Sequence, residues 1–577
     1  MKLAKLRKCG SKRGMALVIV LVLGGVAIAI VGGVLNWTSA NARLINRNIA
    51  YQNAVLAAEA ATEKTLSKMA ADFTTEGAVV LGNNMPSYKR RVPLVSEHPK
   101  WGFYRFNNGR GARDEVFVEM IQPWAPNTPL LSLYRGLKGY AATFRIRANA
   151  EDVVANAEAG VYQDVQFAVV PVFQFAVFYN IDLEVLPGAN MTIRGRVHSN
   201  RDLYAAPEQG AQLQFDDWVT SVGTIYHYRK DNPSRSMGVP SYKVGREQGV
   251  SALNLPIGTN NSPDAVRELL EVPRSGSANN SVLESQRFYN LCDVVVEVTT
   301  DRVSVRGGSM SPGTGANIPW QEASSWINTN KTFFDQRENK TVLLTEINVF
   351  KFWEWATNKN AIRNHIQAKQ NREINSIYVA DLRPHTSSTM PAVRLVNGAV
   401  LPPSGLTVVT PNPLYVQGHY NASGASLGTT NTANTKPAAL IADAITVLST
   451  GWNDSNSAKD LSSRIASDTT VNAAFLAGIV ETVGTNYSGG LENFPRFLEN
   501  WSGKTFTYNG SMVVMFPSKV ATNRWKAPGT QGNVYGVPTR NWSFDVNFTD
   551  PNKLPPLCPA VRAVIRYKWA TVAPTAS

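Results

Sequence analysis

The sequence predicts an α+β protein in which a long amino-terminal transmembrane helix precedes a large β-rich domain with an antiparallel sheet. Three observations predict this class. An uncharged apolar run occupies residues 15–35, and helical periodicity continues well beyond it. From Tyr140 onward the pattern changes to short apolar and β-branched segments separated by Gly, Pro and Asn. These short segments could include β-helical rungs.

The first 35 residues predict a membrane anchor. Residues 1–14 form a leader that contains six Lys and Arg and no acidic residue. The 21-residue run that follows is long enough to cross a bilayer, which needs about 20 apolar residues. Because basic flanks stay on the cytoplasmic side, we expect a single-pass protein of the bacterial inner membrane with its carboxy-terminal domain in the periplasm.

The predicted helix extends over residues 15–70. No proline occurs before Pro86, so nothing obvious ends the helix earlier. Apolar residues after the membrane run fall on about one third of the helical circumference. These residues are Ala42, Ile45, Ile49, Leu56, Ala60 and Leu66.

The junction between leader and helix carries a resemblance to a known family. A basic leader that ends in Gly14, with an apolar helix starting at Met15, resembles the prepilin peptidase site of type IV pilins and pseudopilins. The segment NAVLAAEAATEKTL (53–66) is similar to PilX-like minor pilins. This resemblance implies that prepilin peptidase cleaves after Gly14 and that Met15 becomes the methylated amino terminus. A cleaved secretory signal, with Ala40 and Ala42 as its small residues, or a plain membrane anchor is the alternative.

The resemblance also implies a position in the assembly. Pilin helices carry a glutamate at the fifth mature position, and that position is Ile19 in this chain. A subunit that lacks this acid cannot pair with the charged amino terminus of a neighbour, as in pilins placed at a fibre tip or priming complex. Gly25, Ala29 and Gly33 form a small-residue face on which the helix of another pilin or pseudopilin could pack.

Charge argues against a nucleic-acid partner, and the cysteine content leaves at most one disulfide in the mature chain. The formal net charge is +14, of which the leader holds six charges. The remaining Lys and Arg are scattered, so we expect no nucleic-acid partner. Two cysteines follow the leader, Cys292 and Cys558, and the sequence allows them to be bridged or unpaired.

The β-rich region divides into two parts. Strand patterns in 140–150 and 161–173 predict a pilin-like β core over residues 71–170. Residues 171–577 form a large β-rich carboxy-terminal region with helical insertions, predicted at 265–270 and 349–366. Within it, 171–205 and 406–421 share an order of strand, turn and strand that is typical of β-helical rungs. These two segments also resemble parts of large bacterial PilX-type proteins.

No motif predicts catalysis, a metal or a cofactor. The six histidines lack metal-ligand spacing, although His198 and His419 occupy similar turns and could approach each other if their segments stack. Asp335 and Glu338 could be the acid pair of a glycosidase, or one of these acids could form a surface ion pair with Arg337. We therefore expect a protein without enzymatic activity.

The carboxy-terminal third is rich in large aromatic rings, which are either core residues or an exposed surface that binds sugars or a protein. The rings are Phe494, Phe497, Trp501, Tyr508, Trp525, Tyr535, Trp542 and Trp569. The sequence therefore predicts a minor pilin or pseudopilin-like structural component of a type IV pilus or a type II secretion-like system, at or near the fibre tip. The alternative is a membrane-anchored surface adhesin or carbohydrate-active protein.

Overall fold

The computed structural model describes residues 13–274, 281–529, 532 and 534–573. It opens with one helix, Arg13–Glu76, which at 1.5 Å per residue is about 96 Å long. The helix continues almost two turns beyond the predicted end. It ends at Gly77, whose φ of +92° is unfavourable for residues with a Cβ atom and whose N–H donates to the Phe73 carbonyl at 3.0 Å. Two short helices follow, Ala78–Asn83 and Met85–Lys89.

A five-stranded antiparallel sheet, here called the platform sheet, supports the second half of this helix. Its last strand comes from the carboxy-terminal end of the chain and pairs along the strand Ala157–Pro171. The sheet therefore extends beyond the predicted segment 71–170, and residues 172–559 form an insertion between two neighbouring strands. The strands are Tyr104–Asn107, Phe117–Pro129, Lys138–Asp152, Ala157–Pro171 and Ala560–Val572.

Alanine is the commonest residue type on the helix surface that faces the platform sheet. Buried helix residues recur at three- and four-residue intervals, and small side chains let the helix approach the strands closely. The helix continues through the apolar residues at helical spacing, of which Leu66 is buried, while Ile45, Ile49 and Leu56 are more than half exposed. Hydrophobicity alone missed this face because alanine is only weakly apolar. The buried helix residues include Ala50, Ala54, Ala57, Ala58, Ala61, Leu66, Met69 and Phe73.

The insertion is a parallel β-solenoid, so the predicted β-helical rungs are confirmed. Its first half has three faces, each formed by short parallel strands. The first face contains Val177–Tyr179, Val197–Ser199, Val219–Ser221 and Arg246–Gln248. The second contains Leu183–Val185, Leu203–Ala205 and Ile225–Tyr226. The third contains Met191–Ile193, Leu213–Phe215 and Ser241–Tyr242.

The second half of the solenoid repeats this arrangement with longer strands. Its first face contains Val294–Val298, Ser376–Asp381, Leu406–Val409, Ala438–Ala442, Ala474–Ala477 and Met512–Val514, extended antiparallel by Val303–Gly307 and Asn317–Ile318. The second contains Lys340–Asn348, Thr389–Val396, Leu414–Gln417, Ile445–Leu448 and Arg496–Phe497, extended antiparallel by Ile327–Asp335. The third contains Thr469–Asn472, Thr505–Gly510 and Thr539–Phe544.

Helical insertions interrupt the solenoid at or near both predicted places, 265–270 and 349–366. The predicted stretch 349–366 contains two helices, because Asn360 caps a new helix by accepting a hydrogen bond from the Arg363 N–H. The helices of the insertion are Pro263–Arg267, Phe288–Leu291, Trp320–Ala323, Val349–Thr357 and Ala361–Gln370.

The two halves join out of sequence order. Val177–Tyr179, the first solenoid strand, pairs in parallel with Met512–Val514 near the end of the insertion. The chain therefore enters the solenoid in its middle and runs to one end. It crosses to the other end between Gln248 and Val294, along the described residues 249–274 and 281–293, and then returns to the middle. This junction, called the seam, makes the first faces of both halves one twelve-stranded sheet.

A hydrophobic cluster fixes the solenoid to the platform sheet. Residues on the outer face of the twelve-stranded sheet, such as Phe178 and Val513, lie in one buried cluster with Leu255 of the crossing segment. The same cluster includes Ala168 and Ile565 of the platform sheet. Because apolar side chains from both parts are buried together in this cluster, the inserted domain is held against the platform sheet and is not joined to it by a flexible linker alone.

Candidate functional site

The first half of the helix is an exposed apolar rod. Residues from Met15 onward form a helix that is apolar and long enough to cross a membrane, and none of the apolar window is buried against the rest of the protein. Met15 is 71% exposed and Ile19 is 50% exposed. Gly14 and Met15 lie in the first turns of the helix, while residues 1–12 of the leader lie outside the described residues.

The predicted small-residue face has no intramolecular partner in the described chain. A Cβ atom built on Gly25 or Gly33 would meet no atom within 4 Å. Ala29, one helical turn from each, is exposed as well. This face is therefore available to another helix, although the structure contains none that covers it.

The strand Ala560–Val572 adds polar contacts to the second half of the helix, which packs mainly on the strands Lys138–Asp152 and Ala157–Pro171. Arg566 donates to both Glu63 carboxylate oxygens at 2.6 and 2.8 Å, and Arg562 donates to the Thr74 carbonyl at 2.6 Å. Gln163 of the neighbouring strand donates to Glu63 at 2.7 Å. The carboxy-terminal strand thus connects the helix to the sheet that supports the solenoid.

The predicted acid pair lies in a buried turn rather than in a cleft. Asp335 accepts hydrogen bonds from the N–H groups of Arg337 and Glu338 and, at 2.6 Å, from the Tyr415 hydroxyl. Glu338 pairs with Arg496 at 3.1 Å, and all of these side chains are buried. The expected surface ion pair is therefore wrong in its location, because the turn between two solenoid strands is covered by residues near Asn523.

The two turn histidines have separate partners. His198 is fully buried between Thr220 and Asn200, and burial lowers its pKa to about 4. His419 accepts a hydrogen bond from the Thr470 N–H at 3.1 Å. Their segments belong to the same solenoid but to different halves of it. Among the described residues, no group of three or more His, Cys, Asp or Glu is placed to hold a metal ion.

Cys292 and Cys558 lie in the same region of the structure. Cys292 is fully buried in the cluster between solenoid and platform sheet, and Cys558 packs against that cluster. Both are free thiols in the structure. Burial raises the pKa of each thiol, so both favour the protonated form.

The aromatic residues divide between core and surface. Phe494, Phe497, Trp501, Tyr508 and Tyr535 are buried and pack mostly on one another. Trp569 is 47% exposed on the platform sheet. Trp525 and Trp542 are half-buried, and both line the same cavity.

This cavity, called the seam groove, has a volume of about 1260 Å³. It lies between the strands Thr539–Phe544 and Met191–Ile193. Each of these strands pairs on one side only, with Thr505–Gly510 and Leu213–Phe215 respectively, and no ladder joins them within the described chain. At the seam, strand pairing joins the first faces of the two halves, but the third faces stay unpaired with each other in the part of the chain that the structure describes. The groove lies between these unpaired third faces.

Two consecutive glycines make room for the polar side chains of the groove. Gly490 has φ +68°, and a Cβ atom there would collide with the Tyr487 hydroxyl and the Glu492 carboxylate. Gly489 has φ +97°, and a Cβ atom there would lie 2.9 Å from the Trp525 ring. This glycine pair, beside an aromatic residue and an acid, was the sequence signal for the groove, and sequence reasoning missed it.

Glu492 is the most perturbed acid of the groove. One carboxylate oxygen accepts from the Leu186 N–H at 3.1 Å, and the other is buried without a partner among the described residues. Burial raises the pKa of this carboxyl to about 7. Arg540 donates to the Glu492 main-chain carbonyl at 3.0 Å, so its guanidinium lies close by without forming a direct ion pair with the carboxylate.

Comparison with known proteins adds little to this description. No protein-family model matches the chain, and no curated protein matches it. Among solved structures, the competence-associated pilin ComZ from Thermus thermophilus is similar over 89% of this chain and 97% of its own, at 9% identity and a TM-score of 0.29. At that score the similarity carries no argument about this chain.

Proposed function

We propose that this protein is a pilin-like structural subunit of a type IV pilus or a related secretion fibre. The observation that carries the proposal is the division of one long helix into two halves. The first half is an exposed apolar rod, and the second half packs on an antiparallel sheet that is closed by the carboxy-terminal strand. Such a subunit can be anchored in the inner membrane and later packed among other helices without unfolding its body.

The amino-terminal sequence supports processing by prepilin peptidase. Cleavage after Gly14 would remove the basic leader and leave Met15 as the methylated amino terminus of a helix that begins with the uncharged run 15–35. Other pilins or pseudopilins would then pack on the exposed helix, with Gly25, Ala29 and Gly33 allowing close approach. The proposal includes no enzymatic activity, cofactor or nucleic-acid partner.

The experiment that tests this assignment is amino-terminal mass spectrometry of protein recovered from sheared fibres. We expect a methylated Met15. A Gly14→Val variant should stay as the full-length precursor, whereas Gly10→Val, elsewhere in the leader, should be processed normally. Normal processing of Gly14→Val, or a mature terminus elsewhere, would contradict the proposal.

We further propose a place at or near the fibre tip. Ile19 supplies no acid for the amino terminus of a neighbour. A body of about 500 residues, with an expected radius of gyration near 23 Å, would collide with its copies if it repeated at every subunit of a fibre. Immunogold labelling of intact fibres should mark ends or bases, and regular labelling of the shaft would refute this position.

A further inference from the structure

The size of the seam groove indicates a chain-like ligand. Pockets for drug-sized ligands have volumes of about 300–1,000 Å³. The seam groove, with about 1260 Å³, is larger, and it lies between two strands rather than at the bottom of a closed pit. An oligomer that lies along the groove would fill it better than a single small molecule.

The rings of the groove are suited to flat, partly apolar partners. Trp525 and Trp542 are half-buried, so part of each ring is accessible from the groove. The Trp525 Nε1 donates to the Tyr535 hydroxyl at 3.1 Å, which in turn donates to Asn493 at 2.6 Å. This chain of hydrogen bonds fixes the orientation of Trp525, as a stacking platform requires.

Three polar atoms of groove residues lie behind the groove surface. The Glu492 Oε2, the Trp542 Nε1 and the Tyr487 hydroxyl are buried from solvent without a hydrogen-bond partner among the described residues. A ligand in the groove cannot reach atoms that water cannot reach, so its contacts come from the exposed parts of the rings and from the cations.

The charge of the groove selects an anionic ligand. Arg194, Arg229 and Arg235 each have a carboxylate within 4.0 Å. Arg524, Lys526 and Arg540 also line the groove, but no ion pair within that distance is formed by any of them among the described residues. Guanidinium groups bind carboxylates with two parallel hydrogen bonds, so carboxylate-bearing sugars fit these cations.

Two other polymers share part of this chemistry. Single-stranded nucleic acid could stack on the tryptophans and place its phosphates on the same cations. An extended peptide could pair with the open strand edges through its main chain, but those main-chain bonds would use neither the tryptophans nor the cations. The binding test therefore includes both polymers.

From these observations we propose that the seam groove binds an anionic oligosaccharide, a chain of sugar rings that carry carboxylate groups. The rings stack on Trp525 and Trp542, and the carboxylates bind Arg524 and Lys526. This inference goes beyond the structural role proposed above and does not depend on whether the chain assembles into a fibre.

The test measures binding of four probes to the full-length chain in detergent micelles by isothermal titration calorimetry. Hexagalacturonate is the expected ligand. Cellohexaose is its neutral counterpart, hexaglutamate is an anionic peptide, and heptathymidylate is an anionic single strand. We expect hexagalacturonate to bind at least about tenfold more tightly than each of the others. No binding of hexagalacturonate, or equal or tighter binding of any other probe, would overturn the proposal.

Variants locate the binding site. Trp525→Ala should weaken hexagalacturonate binding at least about tenfold, while Trp569→Ala, an exposed tryptophan on the platform sheet, should leave it unchanged. Trp525→Phe keeps a ring and should retain most of the affinity, which separates stacking from a folding defect. Equal affinity for Trp525→Ala and the wild type would overturn the proposal.

A second pair of variants tests the charge. Arg524→Gln/Lys526→Gln should reduce the affinity for hexagalacturonate to that for cellohexaose and flatten its salt dependence. Lys89→Gln/Arg90→Gln removes two exposed charges outside the groove and should change neither. Matching losses in both double variants would show that the net charge acts at long range, and would overturn the assignment to the groove.

Discussion

Replacing Glu492 by Gln should make the protein more stable at pH 8 and leave its stability almost unchanged at pH 5. Burial raises the pKa of Glu492 from 4.5 to about 7, so the folded protein holds a proton that the unfolded chain has already released. Stability therefore falls as the pH rises from about 4.5 to about 7. The difference between the two pKa values corresponds to about 3 kcal/mol.

Glutamine removes this cost because it is neutral at every pH and has the shape of the protonated acid. Its amide oxygen can accept from the Leu186 N–H, as the Glu492 carboxylate does. A body of about 500 residues has an unfolding entropy near 1 kcal/mol/K, so 3 kcal/mol shifts Tm by about 3 °C. We expect Tm to rise by that amount at pH 8 and by less than about 1 °C at pH 5.

The assay is thermal unfolding of full-length protein in detergent, with wild type and variant compared at each pH. Other groups titrate in the same range: burial also raises the pKa of Glu499 to about 7, and burial lowers that of His198 to about 4. They are unchanged between wild type and variant, so the difference isolates Glu492. Glu247→Gln, at an exposed position, is the control. An equal Tm change at both pH values, or a lower Tm at pH 8, would refute the reasoning.

Three further predictions concern packing. Arg496→Met should lower the free energy of unfolding by about 3 kcal/mol, because Glu338 stays buried without its partner at 3.1 Å, and adding Glu338→Gln should restore much of the loss; no recovery would contradict this account. Ala61→Leu should cost about 1–3 kcal/mol because Ala61 is fully buried, whereas Leu56→Ala, at a 62% exposed position, should leave Tm unchanged; equal effects would contradict the observed helix face. Gly490→Ala should cost at least about 1 kcal/mol, because φ is +68° and the new Cβ would collide with two groove side chains, and an unchanged Tm would argue against this loop conformation.

Local features of the chain were predictable where they depend on neighbouring residues only. The anchor helix follows from an uninterrupted apolar run, and short parallel rungs follow from strand and turn segments in 171–205 and 406–421. The buried face of the helix was not predictable in the same way. Leu56 is more apolar than Ala61, yet Ala61 is buried and Leu56 is exposed, because Ala61 lies on the side of the helix that faces the sheet and Leu56 does not.

The sequence by itself determined the membrane-compatible helix, the basic leader that ends in Gly14, and the repetitive β character of the insertion. Only the tertiary structure decided that Ala560–Val572 closes the platform sheet and that Val177–Tyr179 pairs with Met512–Val514. The physical reason is that the pattern of apolar residues shows which segments can form strands but not which strands pair. The strands that pair here lie hundreds of residues apart in the sequence. The seam groove, and the perturbed acid within it, exist only because that distant pairing closes one face of the solenoid and leaves another open.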